Sequence, residues 1–233
     1  MARKVKIPNH LKKRLSRTES SRKIESKPKK KYFLLICEGE KTEPHYFESI
    51  KNALPKGVLE LYEFDIDGTG YNTESLVKKG IILRKSLETS LVRKIDKLWI
   101  IFDRDSFTPK AFNNAIQICL NNYPGVEAAW TNEAFELWYL LHFHFYNTAI
   151  SRTQYQDLIE ANFRKRGIKN YKYKKNSSEM FSLLETYGNR ADAIKNATTL
   201  EKQYNQGKDF SKHNPCTTVH KLVAELFDLN KEL

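Results

Sequence analysis

Two apolar runs that end in acidic residues dominate the pattern of this chain: Phe33-Leu34-Leu35-Ile36-Cys37-Glu38-Gly39 and Leu98-Trp99-Ile100-Ile101-Phe102-Asp103-Arg104-Asp105. Continuous apolar runs of this length are typical of strands that are buried on both faces. Strands that are separated by helical patterns indicate parallel βαβ units. We therefore predict an α/β fold with a mostly parallel sheet flanked by helices.

The other elements follow from local periodicity and turn residues. An alternating stretch at 59–66 predicts an edge strand, which stops at the turn Asp67-Gly68-Thr69-Gly70. A short strand is predicted over 126–130. Helices are predicted over 42–54 and 73–87, capped by Thr42 and Thr73, over 108–122, and over 131–143, capped by Thr131 or Asn132. Beyond residue 150 only helices are predicted, at 151–166, 177–190, 191–205 and 216–229.

Charge is distributed unevenly along the chain. Residues 1–31 hold 13 of the 40 Lys and Arg residues and only two acids, so they carry +11 of a net charge of +12. A segment this basic buries too little apolar surface to fold alone, and we predict a disordered tail that either solubilises the protein or binds phosphates. The rest is divided into an α/β domain at 32–148 and a helical extension at 149–233.

Composition also limits the cellular setting. Cys37, Cys119 and Cys216 lie far apart and form no CxxC pair, which favours reduced thiols over disulfides or a zinc site. No apolar run reaches the roughly 20 residues of a membrane-spanning helix. The basic N-terminus is not followed by the apolar segment of a secretory signal. We therefore predict a cytoplasmic protein with no membrane association.

Acidic side chains follow each predicted strand, at Glu38, Asp67, Asp103/Asp105 and Glu133. Ligands of open parallel sheets bind where the carboxyl ends of the strands meet. Carboxylates that converge there repel one another, and a divalent cation removes that cost. Oxygen ligands without a set of His or Cys select Mg²⁺ or Mn²⁺. The pattern predicts one or two such ions beside Glu38, Asp103 and Asp105, where they would activate water and stabilise a leaving oxygen.

The residues at these two strand ends resemble the signatures of the Toprim domain, which topoisomerases, bacterial primases and OLD-type nucleases share. Three longer stretches are similar to the RloB family, also called AbiLii-like. They are Cys37-Glu38-Gly39-Glu40-Lys41-Thr42-Glu43-Pro44-His45-Tyr46-Phe47, Phe135-Glu136-Leu137-Trp138-Tyr139-Leu140-Leu141-His142-Phe143 and Asn214-Pro215-Cys216-Thr217-Thr218-Val219-His220-Lys221-Leu222-Val223.

The resemblance implies a Toprim-like, Rossmann-type sheet, a Toprim-type site and a role in phage defence, often beside an AAA/ABC-like ATPase partner. Carried over residue by residue, Glu38 is the catalytic acid/base or a bridging ligand, and Asp103 and Asp105 bind metal. Many Toprim nucleases have a second acid four residues after the first. This chain has Thr42 at that position, and its acid, Glu43, comes one residue later.

Three further carboxylates are candidate metal ligands: Glu43, Asp67 and Glu136. Glu136 lies in a predicted helix that is apolar almost all round, where a carboxylate requires a partner or a metal. His142, in the same helix, is interpreted as a core histidine.

A second basic segment, 164–175, contains seven bases, two tyrosines and no acid. A charged run is usually a solvated surface, but aromatic rings between the bases can stack on nucleotides and favour a nucleic-acid contact. The candidate nucleic-acid-binding residues are Lys41, Arg104, Arg164, Lys165, Arg166, Lys169, Tyr171, Lys172, Tyr173, Lys174 and Lys175.

The combined pattern predicts a Mg²⁺- or Mn²⁺-dependent nuclease that acts on DNA or RNA. A dehalogenase-type phosphatase would carry its Asp-x-Asp pair after the first strand, whereas here the pair follows a later one. A topoisomerase or a primase would need further domains. The remaining alternative is a non-catalytic subunit that senses nucleic acid or nucleotides for an ATPase partner.

Overall fold

The computed structural model describes residues 30–69, 73–105, 107–122, 124–204 and 207–232. The tail predicted for residues 1–31 lies outside these ranges except for its last two residues. Within them the chain folds around one five-stranded sheet with the strand order β2-β1-β3-β4-β5. The first four strands in this order are parallel, and β5 is antiparallel to β4. The strands are β1 (Lys31–Cys37), β2 (Tyr62–Gly68), β3 (Lys97–Asp103), β4 (Val126–Asn132) and β5 (Cys216–Thr217).

Helices cover both faces of the sheet, which confirms the predicted α/β class. They are α1 (Thr42–Ala53), α2 (Lys56–Leu61), α3 (Thr73–Leu91), α4 (Pro109–Asn121), α5 (Glu136–Leu140), α6 (Arg152–Lys165), α7 (Met180–Tyr187), α8 (Arg190–Lys202) and α9 (Val219–Asp228). The start of α4 matches its prediction, because the Thr108 hydroxyl accepts a hydrogen bond from the backbone N–H of Ala111 and Pro109 follows the cap.

The alternation of side chains along β1 explains the two hydrophobic cores. Phe33, Leu35 and Cys37 pack with α1 and with helices α5 to α9 on one face, whereas Leu34 and Ile36 pack with α3 and α4 on the other. A strand that is buried on both faces has to be apolar at every position, which is why the run at 32–37 is continuous. The strand predicted to lie at an edge, β2, does so.

The order β2-β1-β3-β4 creates a topological switch point between β1 and β3. The chain leaves β1 towards one edge of the sheet and, after β2, crosses back to β3. Helix α1, which follows β1, and helix α4, which follows β3, cover opposite faces, so the loops that follow β1 and β3 diverge. A crevice therefore opens at the carboxyl ends of these two strands, where doubly wound proteins bind their ligands.

One predicted helix is mostly wrong. The pattern at 131–143 predicts a helix capped by Thr131 or Asn132, but both residues belong to β4, and only Glu136–Leu140 is regular helix. Thr131 pairs with Asp103 of β3, and Asn132 pairs with Cys216 of β5. These pairings extend the strand by two residues beyond the local signal, because tertiary partners override weak propensities.

Smaller corrections concern other element boundaries. Residues 59–61 belong to α2, and β2 begins at Tyr62 and continues through the predicted turn to Gly68. Thr42 does not cap α1, since its hydroxyl donates a hydrogen bond to Oδ1 of Asn176 instead. Cys216 and Thr217, predicted to start the last helix, form β5.

The C-terminal region packs tightly onto the sheet. Side chains of α6, α7, α8 and α9 join those of α1 and α5 in one continuous apolar cluster. The region is not purely helical as predicted, since β5 adds a strand beside β4. The division at residue 148/149 stays a prediction, but the contacts matter for the site because this region supplies part of its wall.

Candidate functional site

Glu38 and Asp103 meet at the switch point. The backbone N–H of Glu38 donates to the carbonyl of Ile101, 2.9 Å away, which ties the end of β1 to β3. Oε2 of Glu38 in turn accepts a hydrogen bond from the backbone N–H of Asp103 at 3.0 Å. Burial raises the pKa of Glu38 to about 7; the Asp103 N–H opposes this, and the nearby carboxylates of Glu43 and Asp105 reinforce it.

Asp103 is one of three buried acids of the site. Its side chain faces α5, where Oδ2 accepts from the backbone N–H of Phe135 at 2.9 Å and from Nη2 of Arg152 at 3.2 Å. Its other oxygen, Oδ1, is buried and has no hydrogen-bond partner among the described residues. Burial, and then the charge of Glu43, raise the pKa of Asp103 well above its ordinary value. An orphaned buried oxygen of this kind can accept a ligand without losing an existing bond.

Glu43 enters the same crevice from the first turn of α1. It is 7% exposed, and its Oε2 also lacks a hydrogen-bond partner within the described ranges. This oxygen lies directly against Gly39, where a Cβ atom would overlap it. Glycine at position 39 is therefore required for close approach of the Glu43 carboxylate. Burial first, and then Glu136, raise the pKa of Glu43. The acid that comes one residue later than in many Toprim nucleases still reaches the site.

Arg152 is the residue that sequence reasoning missed. Its Nη1 lies 2.8 Å from Oδ2 of Asp105, its Nη2 lies 3.2 Å from Oδ2 of Asp103, and its Nε lies 3.5 Å from Oε2 of Glu136. One guanidinium thus bridges three carboxylates, two at the end of β3 and one at the start of α5. Burial alone would lower the pKa of Arg152, but the three carboxylates outweigh this and raise it. The sequence marks this position only as the start of a helix.

Glu136 confirms the expectation that a carboxylate in an apolar helix needs partners. It is 3% exposed, and its Oε1 accepts hydrogen bonds from Nε2 of Gln156 at 3.0 Å and from the hydroxyl of Tyr173 at 3.1 Å. Together with Arg152, these donors all come from the C-terminal region. His142, six residues after Glu136, is a buried core histidine as interpreted, with its Nδ1 2.9 Å from the carbonyl of Trp138.

These carboxylates, Arg152 and a sixth acid, Glu40 of the loop after β1, line a cavity of about 500 Å³. Further cations and amides complete its wall: Lys41 from the loop after β1, and Lys175 and Asn176 from the segment before α7. Asn176 fastens this segment to α1, because its Oδ1 accepts from Thr42 at 2.7 Å and its carbonyl lies 3.0 Å from Nδ1 of His45. Buried acids therefore line the inner part of the cavity, and exposed lysines line its outer part.

The basic segment at 164–175 is only partly what its sequence predicts. Its tyrosines are not free stacking surfaces: the ring of Tyr171 packs 4.5 Å from that of Phe163, and Tyr173 holds Glu136. Several of its bases have partners elsewhere, since Arg164 and Lys172 pair with Glu160 and Arg166 lies over the ring of Phe143. Lys165, Lys169 and Lys174 are exposed and away from the cavity lining, so Lys175 alone of this segment's bases lines it.

Two other predicted site residues, Asp67 and Arg104, lie outside the cavity lining. Asp67 ends β2, the edge strand, and is not among the residues that line the cavity. Arg104 follows Asp103, but its backbone N–H donates to the carbonyl of Thr131 and its side chain is likewise absent from the lining. Alternation along the chain turns Arg104 away while Asp103 and Asp105 face the crevice.

The carboxylates are not grouped as a finished metal site. Across the ranges that the structure describes, no three His, Cys, Asp or Glu side chains have their donor atoms arranged around a common point that could hold an ion. The reason is visible in the contacts: the oxygens of Asp103, Asp105 and Glu136 turn towards the Arg152 guanidinium.

The fold and this site define a Rossmann-like α/β protein with a carboxylate cluster at the switch point of its sheet. The chain belongs to the RloB family: the family described as RloB-like protein matches residues 33–226. No curated protein matches the chain. The described helices include none that is both long and apolar enough to cross a membrane.

One solved structure is a distant match, Csm6 of Enterococcus italicus bound to cyclic hexa-2′-fluoro-hexa-dAMP. The identity is 10% and the TM-score is 0.23, and the match covers 88% of this chain. The chain spans 56% of the length of that Csm6 chain. A likeness this weak carries no argument about function.

Proposed function

We propose that this chain is a Mg²⁺- or Mn²⁺-dependent phosphodiesterase that cuts nucleic acid. The observation that carries the proposal is the convergence of six carboxylates on one cavity at the switch point: Glu38, Glu40, Glu43, Asp103, Asp105 and Glu136. Only one guanidinium, that of Arg152, is paired with them there among the described residues. The excess of negative charge calls for a further cation.

The donor chemistry fits a hard divalent ion. All six carboxylates offer oxygen, which is the ligand atom that Mg²⁺ and Mn²⁺ prefer. Two of the oxygens, Oδ1 of Asp103 and Oε2 of Glu43, are buried without hydrogen-bond partners in the described part of the chain, so they are available to a ligand. Glu38, Asp103 and Asp105 would hold the ion. Glu43 and Glu136 line the same cavity and are additional candidate ligands.

The chemistry would be hydrolysis of a phosphodiester. A bond forms between a water oxygen and phosphorus, the bond from phosphorus to one ester oxygen breaks, and a phosphate monoester and a hydroxyl result. A bound divalent ion supplies charge neutralisation at the phosphate and lowers the pKa of the attacking water. The residues of this chain provide the rest: Lys41 and Lys175 line the cavity, where they can hold phosphate oxygens.

The charge distribution supports nucleic acid as the substrate. The N-terminal 31 residues carry +11, which suits non-specific attraction to a polyanion. The proposal includes a role in phage defence and an AAA/ABC-like ATPase partner, both implied by the family resemblance. The proposed substrate is DNA or RNA.

The direct test is a cleavage assay on plasmid, single-stranded DNA and total tRNA with Mg²⁺, Mn²⁺ or EDTA. We expect metal-dependent cleavage by the wild type and none by Glu38→Gln. Asp157→Asn is the matched control, since Asp157 is an exposed acid of α6 away from the cavity lining. Binding without cleavage under all three conditions would favour the alternative of a non-catalytic sensing subunit and contradict the nuclease.

A further inference from the structure

Arg152 occupies the space between the carboxylates that an ion would be expected to occupy. Its guanidinium contacts Asp103, Asp105 and Glu136 with three different nitrogens. In the described part of the chain, no other cation is ion-paired with these three acids. Lys175 lines the same cavity and carries the same charge, yet it has no ion pair with any of them. The cluster is thus held together by a single internal counter-cation.

The side chain of Arg152 can give up its ion pairs with the three carboxylates without unfolding the helix that carries it. The side chain is only partly buried, with 28% of it exposed, and its buried Nε makes no hydrogen bond among the described residues. The backbone at this point is fixed without it, because Ser151 and Gln154 form a reciprocal cap at the start of α6. The side chain can therefore leave the acids while the helix stays in place.

The acids keep binding capacity while Arg152 is present. Asp103 shares Oδ2 between Arg152 and the backbone N–H of Phe135, but its buried Oδ1 is unpartnered among the described residues. A divalent ion carries twice the charge of a guanidinium and binds carboxylate oxygens at shorter range. Both cations cannot occupy the same space between Asp103 and Asp105.

We infer that Arg152 and a divalent cation compete for Asp103 and Asp105, and that the guanidinium, once displaced, binds a phosphate of the substrate. The inference rests on the proposed metal site. Arg152 holds the acids in place in the metal-free protein and prevents their repulsion from opening the crevice. After displacement its planar fork matches two phosphate oxygens, a geometry that a lysine does not offer.

The first experiment is calorimetric titration of Mn²⁺ into the wild type, Arg152→Gln and Lys175→Gln. Competition predicts that Arg152→Gln binds Mn²⁺ about tenfold more tightly than the wild type, which corresponds to about 1.4 kcal/mol. Lys175→Gln removes the same charge from the same cavity without removing an ion pair to Asp103, and should change the affinity by about twofold or less. Equal effects of the two variants would show long-range charge alone and would overturn the inference.

A second, conservative substitution at Arg152 controls for the chance that Arg152→Gln fails to fold. Arg152→Lys keeps the charge but cannot span three carboxylates, so its Mn²⁺ affinity should lie between those of the wild type and Arg152→Gln. With Mg²⁺ bound, inorganic phosphate should bind the wild type at least about fivefold more tightly than either Arg152 variant. Equal phosphate affinities would overturn the phosphate role. Absence of Mn²⁺ binding to the wild type and to every variant would instead refute the metal site, and with it the proposed function.

Discussion

The backbone N–H of Asp103 donates a hydrogen bond to Oε2 of Glu38, and this bond joins the ends of β1 and β3 where their loops diverge. It places the two acids within one crevice although they are 65 residues apart in the chain. The register of the two strands positions the backbone donor, and the hydrogen bond orients the side chain of Glu38, whose carboxylate is the acceptor. The carboxylates are therefore held in position before any ligand arrives.

The three central acids should be individually essential for cleavage. We expect Glu38→Gln, Asp103→Asn and Asp105→Asn each to lower kcat/KM on the order of 100-fold or more, with unchanged circular dichroism, because each removes an oxygen ligand. Groups that act together have non-additive effects, so the double variant Asp103→Asn/Asp105→Asn should be about as inactive as either single variant. Persistent cleavage by the double variant would contradict the site.

Metal should stabilise the folded protein through the same acids. If Mn²⁺ is present at 100 times its Kd, it contributes about 2.7 kcal/mol, which corresponds to a rise in Tm of about 5–10 °C. Without metal, Asp103→Asn should melt as high as the wild type or higher, because the raised pKa of Asp103 shows that burial of its charge is unfavourable. Differential scanning calorimetry should show a smaller response to Mn²⁺ in this variant. Equal responses would exclude Asp103 as a ligand.

Gly39→Ala tests the role of Glu43. A methyl group at position 39 would overlap Oε2 of Glu43 and push the carboxylate out of its place. A displacement of about 1 Å is enough to lower kcat on the order of tenfold or more. The control is the same substitution in a Glu43→Ala background, where no further loss is expected because the overlapping atoms are gone. A further loss there would show that Gly39 acts through the backbone and not through Glu43.

The two basic segments should contribute differently. Removal of residues 1–29 should flatten the salt dependence of binding and raise KM, while kcat stays nearly unchanged, since a polybasic segment acts through counterion release. Lys175→Gln should lower kcat about tenfold, because Lys175 lines the cavity. Lys169→Gln, an exposed base outside the lining, is the matched control and should affect only KM. If Lys175→Gln changes KM but not kcat, Lys175 contributes only electrostatic attraction to the substrate and does not position it.

Two buried histidines should limit stability in acid. Burial lowers the pKa of His142 to about 4 and that of His220 to about 4, from an ordinary value of 6.5. Between pH 6.5 and about 4 these two histidines are protonated in the unfolded chain but not in the folded chain, so their contribution to the free energy of unfolding falls as the pH falls through this window. Each histidine can account for a loss on the order of 3 kcal/mol.

Urea unfolding at several pH values measures this loss. His142→Gln should flatten the dependence over this range, whereas His144→Gln, at a more exposed histidine, should alter it much less. An unchanged slope in His142→Gln would show that its protonation is not coupled to unfolding.

The sheet and its acidic edge could be predicted because their signals are local. A strand that is buried on both faces must be apolar at every residue, so β1 and β3 are recognisable in isolation, and the acids that follow them necessarily lie at the same edge of a parallel sheet. Glu38, Asp103 and Asp105 were found in this way. Element ends such as Asn132 were not, because the pairing of β4 with β5 joins residues that are 84 positions apart.

The sequence by itself determined the class of fold, the edge of the sheet that carries the acids, and the concentration of positive charge in the first 31 residues. Tertiary structure alone decided which distant side chains complete the site. Arg152, Tyr173 and Lys175 reach the acids only because the C-terminal helices pack on the α1 face, and no periodicity encodes that placement. Packing also gives the two tyrosines internal contacts, since the ring of Tyr171 packs against Phe163 and the hydroxyl of Tyr173 donates to Glu136.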